Sequence, residues 1–232
     1  MNLNVDDNLP IEIIRTKRKK TASIKISKGL IKVIVPEQLS DIKVKLLIDN
    51  RRAWILKKLN EQSTIIQPKP KQYISGESLS YLGKNYKLKV VVDNCDEVRL
   101  INGYIVVKLS KKATDQKIKN LLLKWYKNKA LEKLTEKTNK YAKTMGLNVN
   151  SIFVKDYKAR WGSCYPDKRI SYNWRIIIAP HHIVDYVVFH ELCHILHPNH
   201  SPSYWKSVET VCPDFSVHRK WLREHESELI NY

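Results

Sequence analysis

With 232 residues, 43% of them hydrophobic and 28% charged, the chain can bury a sizeable core without staples, and its composition is that of an ordinary globular protein, for which disorder is not the default. No apolar run approaches the roughly 20 residues of a membrane helix. MNLNVDDNLPIEII carries acid where a secretory leader carries base, and Cys95, Cys164, Cys193 and Cys212 make neither a CxxC pair nor a dense framework, so a cytoplasmic protein with reduced thiols is expected.

The formal charge of +19 is unevenly placed: 14 Lys/Arg face 6 acids in residues 1–60, 11 face 3 in 111–143, and 10 face 9 in 151–232. Such a field favours an anionic partner, nucleic acid or a nucleotide, for the basic N-terminal half. Its competitor is a lysine-rich, merely solvated surface.

In chain order, residues 12–35 read as strands, with Ile24 and Ile26 alternating with polar residues, a turn at Gly29, and Ile31, Val33 and Val35 resuming the period of two. Ser40 can cap a helix over about 41–60. QSTIIQPKPKQ (62–72), with Pro68 and Pro70, is the linker candidate. Strands return at 79–92, broken by Gly83, and at 98–109, where Asn102-Gly103 signals a two-residue hairpin. A basic amphipathic helix is expected over 114–145, with Ile118, Leu122, Trp125, Leu134 and Tyr141 on its apolar side and Gly146 as its stop. A short strand at Ile152 and Val154 leads to a hairpin turning at Pro166-Asp167, whose second strand is expected over 170–178. Pro180 opens a helix to about His197, and helices follow near 202–211 and 215–229. The whole reads as α+β: a β-rich, basic subdomain over 1–110, then a second domain over 111–232 with its catalytic core in 150–232.

Chemistry concentrates in FHELCHILHPNH. His190 and His194, four apart on a helix, project from one face, where two imidazoles can share a zinc ion at about 2.0–2.1 Å. Glu191, beside the first ligand without binding metal, is placed to take a proton from an attacking water. A catalytic zinc needs a third protein ligand, and His197, His200 and Glu209 are the candidates. His197 lies about 10 Å along the helix axis from His190, too far to share one ion. Pro198 and Asn199 turn the chain back and let His200 swing under the metal. Glu209 would serve a site of two histidines and a glutamate.

Around this centre the strand 170–178 offers an edge to which an extended substrate can add. Arg160, Tyr172, Arg175 and Tyr204 are the candidates to contact substrate or stabilise developing negative charge. Cys193 reads as a buried core thiol, and Cys164 as a residue that could approach the site without an activating partner.

KARWGSC (158–164), ISYNWRIIIAP (170–180), DYVVFHELCHILHPNHSPSYW (185–205) and CPDF with WLREH (212–225) together resemble the YgjP-like metallopeptidase family. The likeness extends upstream through RTKRKKTASIKI (15–26), RRAWILKKL (51–59) and YLGKNYKLKV (81–90). It implies a zincin-type catalytic domain related to SprT-like proteases, with one zinc per chain held by His190, His194 and His200 and with Glu191 as general base. A peptide or protein substrate is then expected. A zinc hydrolase of a phosphate-bearing nucleotide is the alternative, which Lys or Arg lining the zinc cleft would support. A third possibility is a nucleic-acid-associated protein carrying a zinc domain.

Overall fold

The computed structural model describes residues 9–18, 20–27, 29–63, 71–111 and 114–232. The chain forms two compact units, Met1–Gln67 and Pro68–Tyr232. Along the chain the boundary falls in the proline-bearing stretch named as a linker, whose residues 64–70 lie outside the described residues. The sequence reading divides the chain after residue 110; in the structure, strands 78–109 share a core with everything downstream.

In the first unit, β1 (Ile11–Thr16) runs parallel to β3 (Leu30–Pro36), and β2 (Ser23–Ser27) runs antiparallel on its other side. The alternation read from the sequence places Ile31, Val33 and Val35 on one buried face. Val44 and Ile48 of α1 (Asp41–Asp49) and Ile55 of α2 (Arg52–Ser63) complete that core. The single helix expected over 41–60 is two. Asn50, a weak helix former, ends the first, and the Arg51 N–H closes a tight bond to Ile48 O at 3.0 Å. Arg15, one of the 14 bases of residues 1–60, is structural: its guanidinium donates to Glu37 O (3.0 Å) and Leu39 O (2.7 Å) and pairs with Asp41 at the start of α1.

The second unit holds two sheets. β4 (Ser78–Tyr81), β5 (Lys84–Val92), β6 (Glu97–Ile101) and β7 (Tyr104–Leu109) form one in the order β4-β5-β7-β6. Its Asn102-Gly103 turn has both φ angles positive, 47° and 80°, as a type I′ hairpin needs. The sheet buries Leu79, Leu88, Ile105 and Val107 in the same core as Ile118, Leu122, Ala130 and Leu134 of α3 (Asp115–Thr144).

β8 (Ser151–Lys155), β9 (Gly162–Cys164) and β10 (Arg169–Asn173) form the second sheet, with β10 in the centre, parallel to β8 and antiparallel to β9. The strand expected over 170–178 therefore stops at Asn173. There the side chain accepts from the Arg175 N–H (3.2 Å) and donates to Tyr157 O (2.9 Å) and Arg160 O (3.2 Å), and Trp174–Ile178 continues as a 3₁₀ helix. The apolar run that read as strand is buried whichever way it winds.

α4 (His181–Leu196), α5 (Pro202–Val211) and α6 (Phe215–Ile230) finish the chain. α4 starts after Pro180 and buries Ile183, Val184, Val187, Val188 and Leu192. No helix among the described residues is long and apolar enough to cross a membrane.

The β4–β5 turn is locked under the entry to α4. Leu82 N–H donates to Ile177 O (2.7 Å) and Gly83 N–H to Ile178 O (3.1 Å), and a Cβ on Gly83 (φ +76°) would stand 2.7 Å from Pro180 Cα. Gly103 has a positive φ too, but open space around it. Gly83→Ala is therefore expected to lower stability by about 2–4 kcal/mol and Gly103→Ala by about 1 kcal/mol. Denaturant midpoints of the two variants check the difference.

Candidate metal centre

α4 carries the site because of what its two faces must do. One face fills the core; the other, offset by four residues, presents His190 and His194 with ring centroids 4.9 Å apart. The helix ends at Leu196, the chain turns through Pro198 and Asn199, and α5 restarts at once: Ser201 accepts from the Tyr204 N–H, and Pro202 takes the first turn. His200 is pinned between those helices, its ring centroid 5.1 Å from His190 and 4.8 Å from His194.

The ligand atoms converge. His190 Nε2 and His200 Nε2 are 3.3 Å apart, and one nitrogen from each ring lies within 4.8 Å of the others. Two nitrogens on a tetrahedral zinc, each at about 2.0–2.1 Å, stand about 3.3–3.4 Å from one another. His194 Nδ1 lies 3.1 Å from the His197 carbonyl. That oxygen can only accept, so Nδ1 carries the proton and Nε2 keeps its lone pair.

Behind the rings stands Tyr204, fully buried. It donates to His190 O at 3.1 Å and stacks on His194 at 4.6 Å and 27°. Trp205 stacks on His200 at 5.5 Å. Burial holds all three imidazoles in the neutral form that ligates: it pushes His190 down to about 3, helped by its two histidine neighbours and Arg219, and lowers His194 and His200.

Glu191 is 3% exposed, and burial raises its carboxyl to about 8, against the Cys164 N–H and Arg160, which favour the charged form. Its Oε2 is buried without a partner, as is His190 Nδ1. Three imidazoles able to hold one ion, beside a carboxylate oxygen lacking a donor, fit a divalent metal with a water beside it.

The competing third ligands are elsewhere. His197 Nε2 is bonded to Ser207 Oγ at 3.0 Å, and Glu209 is exposed and outside the cluster. Of the four candidates for substrate contact, only Arg160 lines the cleft. Tyr172 is wholly buried with its hydroxyl on Thr138 (3.0 Å), Arg175 pairs with Asp156 over the Trp174 ring, and Tyr204 backs the histidines. Nor is β10 an edge strand. It is paired on both sides, and the strand beside the site is β9. All four cysteines are free; Cys164 lines the cleft, but burial and Glu191 push its thiol up to about 11, which keeps it protonated.

The cleft, about 830 Å³, runs between β9 and α6. Arg219, Arg223 and Glu226, which α6 contributes to its wall, are not among the residues expected from the sequence. Arg219 lies over the Trp205 ring at 4.8 Å. The available signal was the spacing of two arginines four apart in HRKWLREHE, on one helix face.

A family model, the YgjP-like metallopeptidase domain, matches residues 20–225. The chain belongs to the YgjP-like family. Neither the curated proteins nor the solved structures contain a significant match. The three-histidine cluster lies inside the matched region, so the metal chemistry implied by the family has a structural seat.

Purified protein reconstituted with zinc is expected to hold one ion per chain. His190→Ala, His194→Ala and His200→Ala should each weaken binding at least about 100-fold, while His197→Ala and Glu209→Ala should retain the metal. Metal analysis after dialysis decides; retention in His200→Ala with loss in Glu209→Ala would move the third ligand.

Proposed function

We propose that this YgjP-like chain is a zinc-dependent metallopeptidase in which His190, His194 and His200 hold the metal and Glu191 is the general base. The observation that carries this reading is the convergence of three imidazole nitrogens within 4.8 Å beside a buried carboxylate oxygen that lacks a partner. Zinc, when bound, supplies Lewis acidity toward a carbonyl oxygen and toward water.

The chain's own groups do the rest. In its ionised form, which a bound cation, the Cys164 N–H and Arg160 favour, Glu191 offers Oε2 to accept the proton of an attacking water and to return it to the leaving amine. Arg160, at the mouth, faces Glu191 and supplies positive charge where the oxyanion develops. β9 pairs with β10 through Trp161 and Tyr165, the Asn173 N–H donating to Trp161 O (2.7 Å) and the Tyr165 N–H to Arg169 O (2.8 Å). By the alternation of an antiparallel ladder, the backbone groups of Gly162 and Cys164 point away from β10; the Cys164 N–H is taken by Glu191, which leaves the Gly162 groups and the Cys164 carbonyl for a ligand in the cleft. An extended peptide can pair with that edge and lay its scissile carbonyl over the three histidines.

A second reading is favoured by a specific observation. Arg160, Arg219 and Arg223 all line the cleft, and no ion pair among the described residues occupies them. Arginine forks suit phosphate oxygens, so a nucleotide is the competing substrate.

Both readings share Glu191. Glu191→Gln should keep its zinc and lower hydrolysis by about 10²–10⁴-fold. A peptide library read by mass spectrometry, and nucleoside triphosphates read by phosphate release, are the two substrates to offer. Cleavage of peptides with intact triphosphates supports the first reading, and the reverse outcome supports the second. Inertness toward both in the fully zinc-loaded chain would sink the hydrolase assignment.

We also propose that the basic N-terminal half binds an anionic partner such as nucleic acid. Lys17, Arg18, Lys20, Lys43, Lys45 and Lys57 are exposed on the first unit. Binding of the full chain to a DNA oligonucleotide should fall steeply between about 50 and 200 mM salt and persist in Glu191→Gln. Absence of binding at about 50 mM would leave these lysines as solvated surface.

A further inference from the structure

β9 is three residues long, Gly162-Ser163-Cys164, and it begins with the residue type least suited to a strand. Gly29, Gly76, Gly103 and Gly146 all have positive φ and open space where a side chain would stand. Gly162 is the opposite case: its φ lies outside the left-handed region, so the backbone itself would accept alanine. A Cβ there would stand 2.4 Å from Glu191 Oε1 and 2.7 Å from both Cγ and Cδ. Glycine is required by the position of one carboxylate, not by the path of the chain.

The neighbouring groups share that purpose. The Cys164 N–H, turned away from β10, favours the charged form of Glu191. With Oε1 against the Gly162 backbone, Oε2 is left buried and unpartnered. The two oxygens of one carboxylate thus stand in different surroundings.

We propose that Gly162 is a positioning residue for Glu191. Its missing side chain forms the berth in which Oε1 and the stem of the glutamate rest, so that Oε2 is held in the one orientation where it can take a proton. The function of the berth rests on reading Glu191 as general base; its existence does not. A methyl group at 162 would turn the Glu191 side chain out of its berth while leaving His190, His194 and His200 on elements that Gly162 does not belong to.

The test is a double-mutant cycle on the metal-free full chain, comparing wild type, Gly162→Ala, Glu191→Ala and the double variant by thermal unfolding. Gly162→Ala should lower Tm by on the order of 5 °C in the wild-type background and leave it unchanged or raise it in Glu191→Ala. Equal losses in both backgrounds would overturn the proposal. Should Gly162→Ala alone fail to fold, recovery in the double variant supports the berth, and failure of both overturns it. In the zinc-loaded protein, Gly162→Ala should retain full metal and lower kcat at least about tenfold at unchanged KM on any peptide the wild type cleaves. Its cobalt-substituted form should show a displaced visible band. Unchanged kcat and spectrum would reduce Gly162 to a packing residue. If the wild type cleaves no peptide, the peptidase reading falls while the cycle and the cobalt spectrum still decide the berth.

Discussion

The second unit is organised by a single demand, that α4 desolvate two imidazoles and a carboxylate on the helix that also forms the centre of its core. Glu191 is as buried as the valines around it and His190 is half-buried, and desolvation moves their protonation equilibria in opposite directions. Burying an unpaired carboxylate costs several kcal/mol in the absence of compensation. The apolar face of the same helix offsets that cost with Ile183, Val184, Val187, Val188 and Leu192. A bound divalent ion offsets it further, since binding to the folded state alone adds stability by mass action. Fold and site therefore cannot be separated energetically: the helix is stable enough to hold a strained polar face because the rest of it is core.

The supporting groups follow from that demand. Rings that must share one ion need fixed rotamers, and each is fixed from behind. His194 is held by the His197 carbonyl, His200 is stacked on Trp205, and the main chain of His190 is held by the Tyr204 hydroxyl. His197, which the sequence offers as a ligand, serves through its backbone while its ring is tied to Ser207. The same logic places glycine at 162, where a strand passes so near the carboxylate that no side chain fits.

Much of this was legible in the residues because it is local. The turn at Asn102-Gly103 needs two positive φ angles, the apolar stripe of α3 repeats at helical spacing, and two histidines four apart on a helix must share a face. What escaped was set by tertiary neighbours. Trp174–Ile178 is apolar because it is buried, and burial does not choose between strand and 3₁₀ helix; the Asn173 side chain does. Tyr172 and Arg175 stood near the motif in sequence, yet alternation sent one into the core and an aspartate claimed the other. Arg219 and Arg223 lie more than twenty residues past His194, and only the return of α6 across α4 brings them to the cleft. No period or spacing carries that information.

The two walls of the cleft frame the remaining question of substrate. β9 presents main-chain donors and acceptors, which recognise an extended backbone of any sequence. α6 presents two arginines and Glu226, which recognise charge and are indifferent to backbone. A nucleotide would use the arginines and leave the outward Gly162 groups and the Cys164 carbonyl unused, whereas a neutral peptide would do the reverse. Polar groups of half-buried β9 left unpaired by a ligand weigh against it more than groups at the solvent-exposed mouth, so the wall beside Glu191 counts for more. β9 is the wall in contact with Glu191, while Arg219 and Arg223 are exposed. That asymmetry is why the peptide reading ranks first.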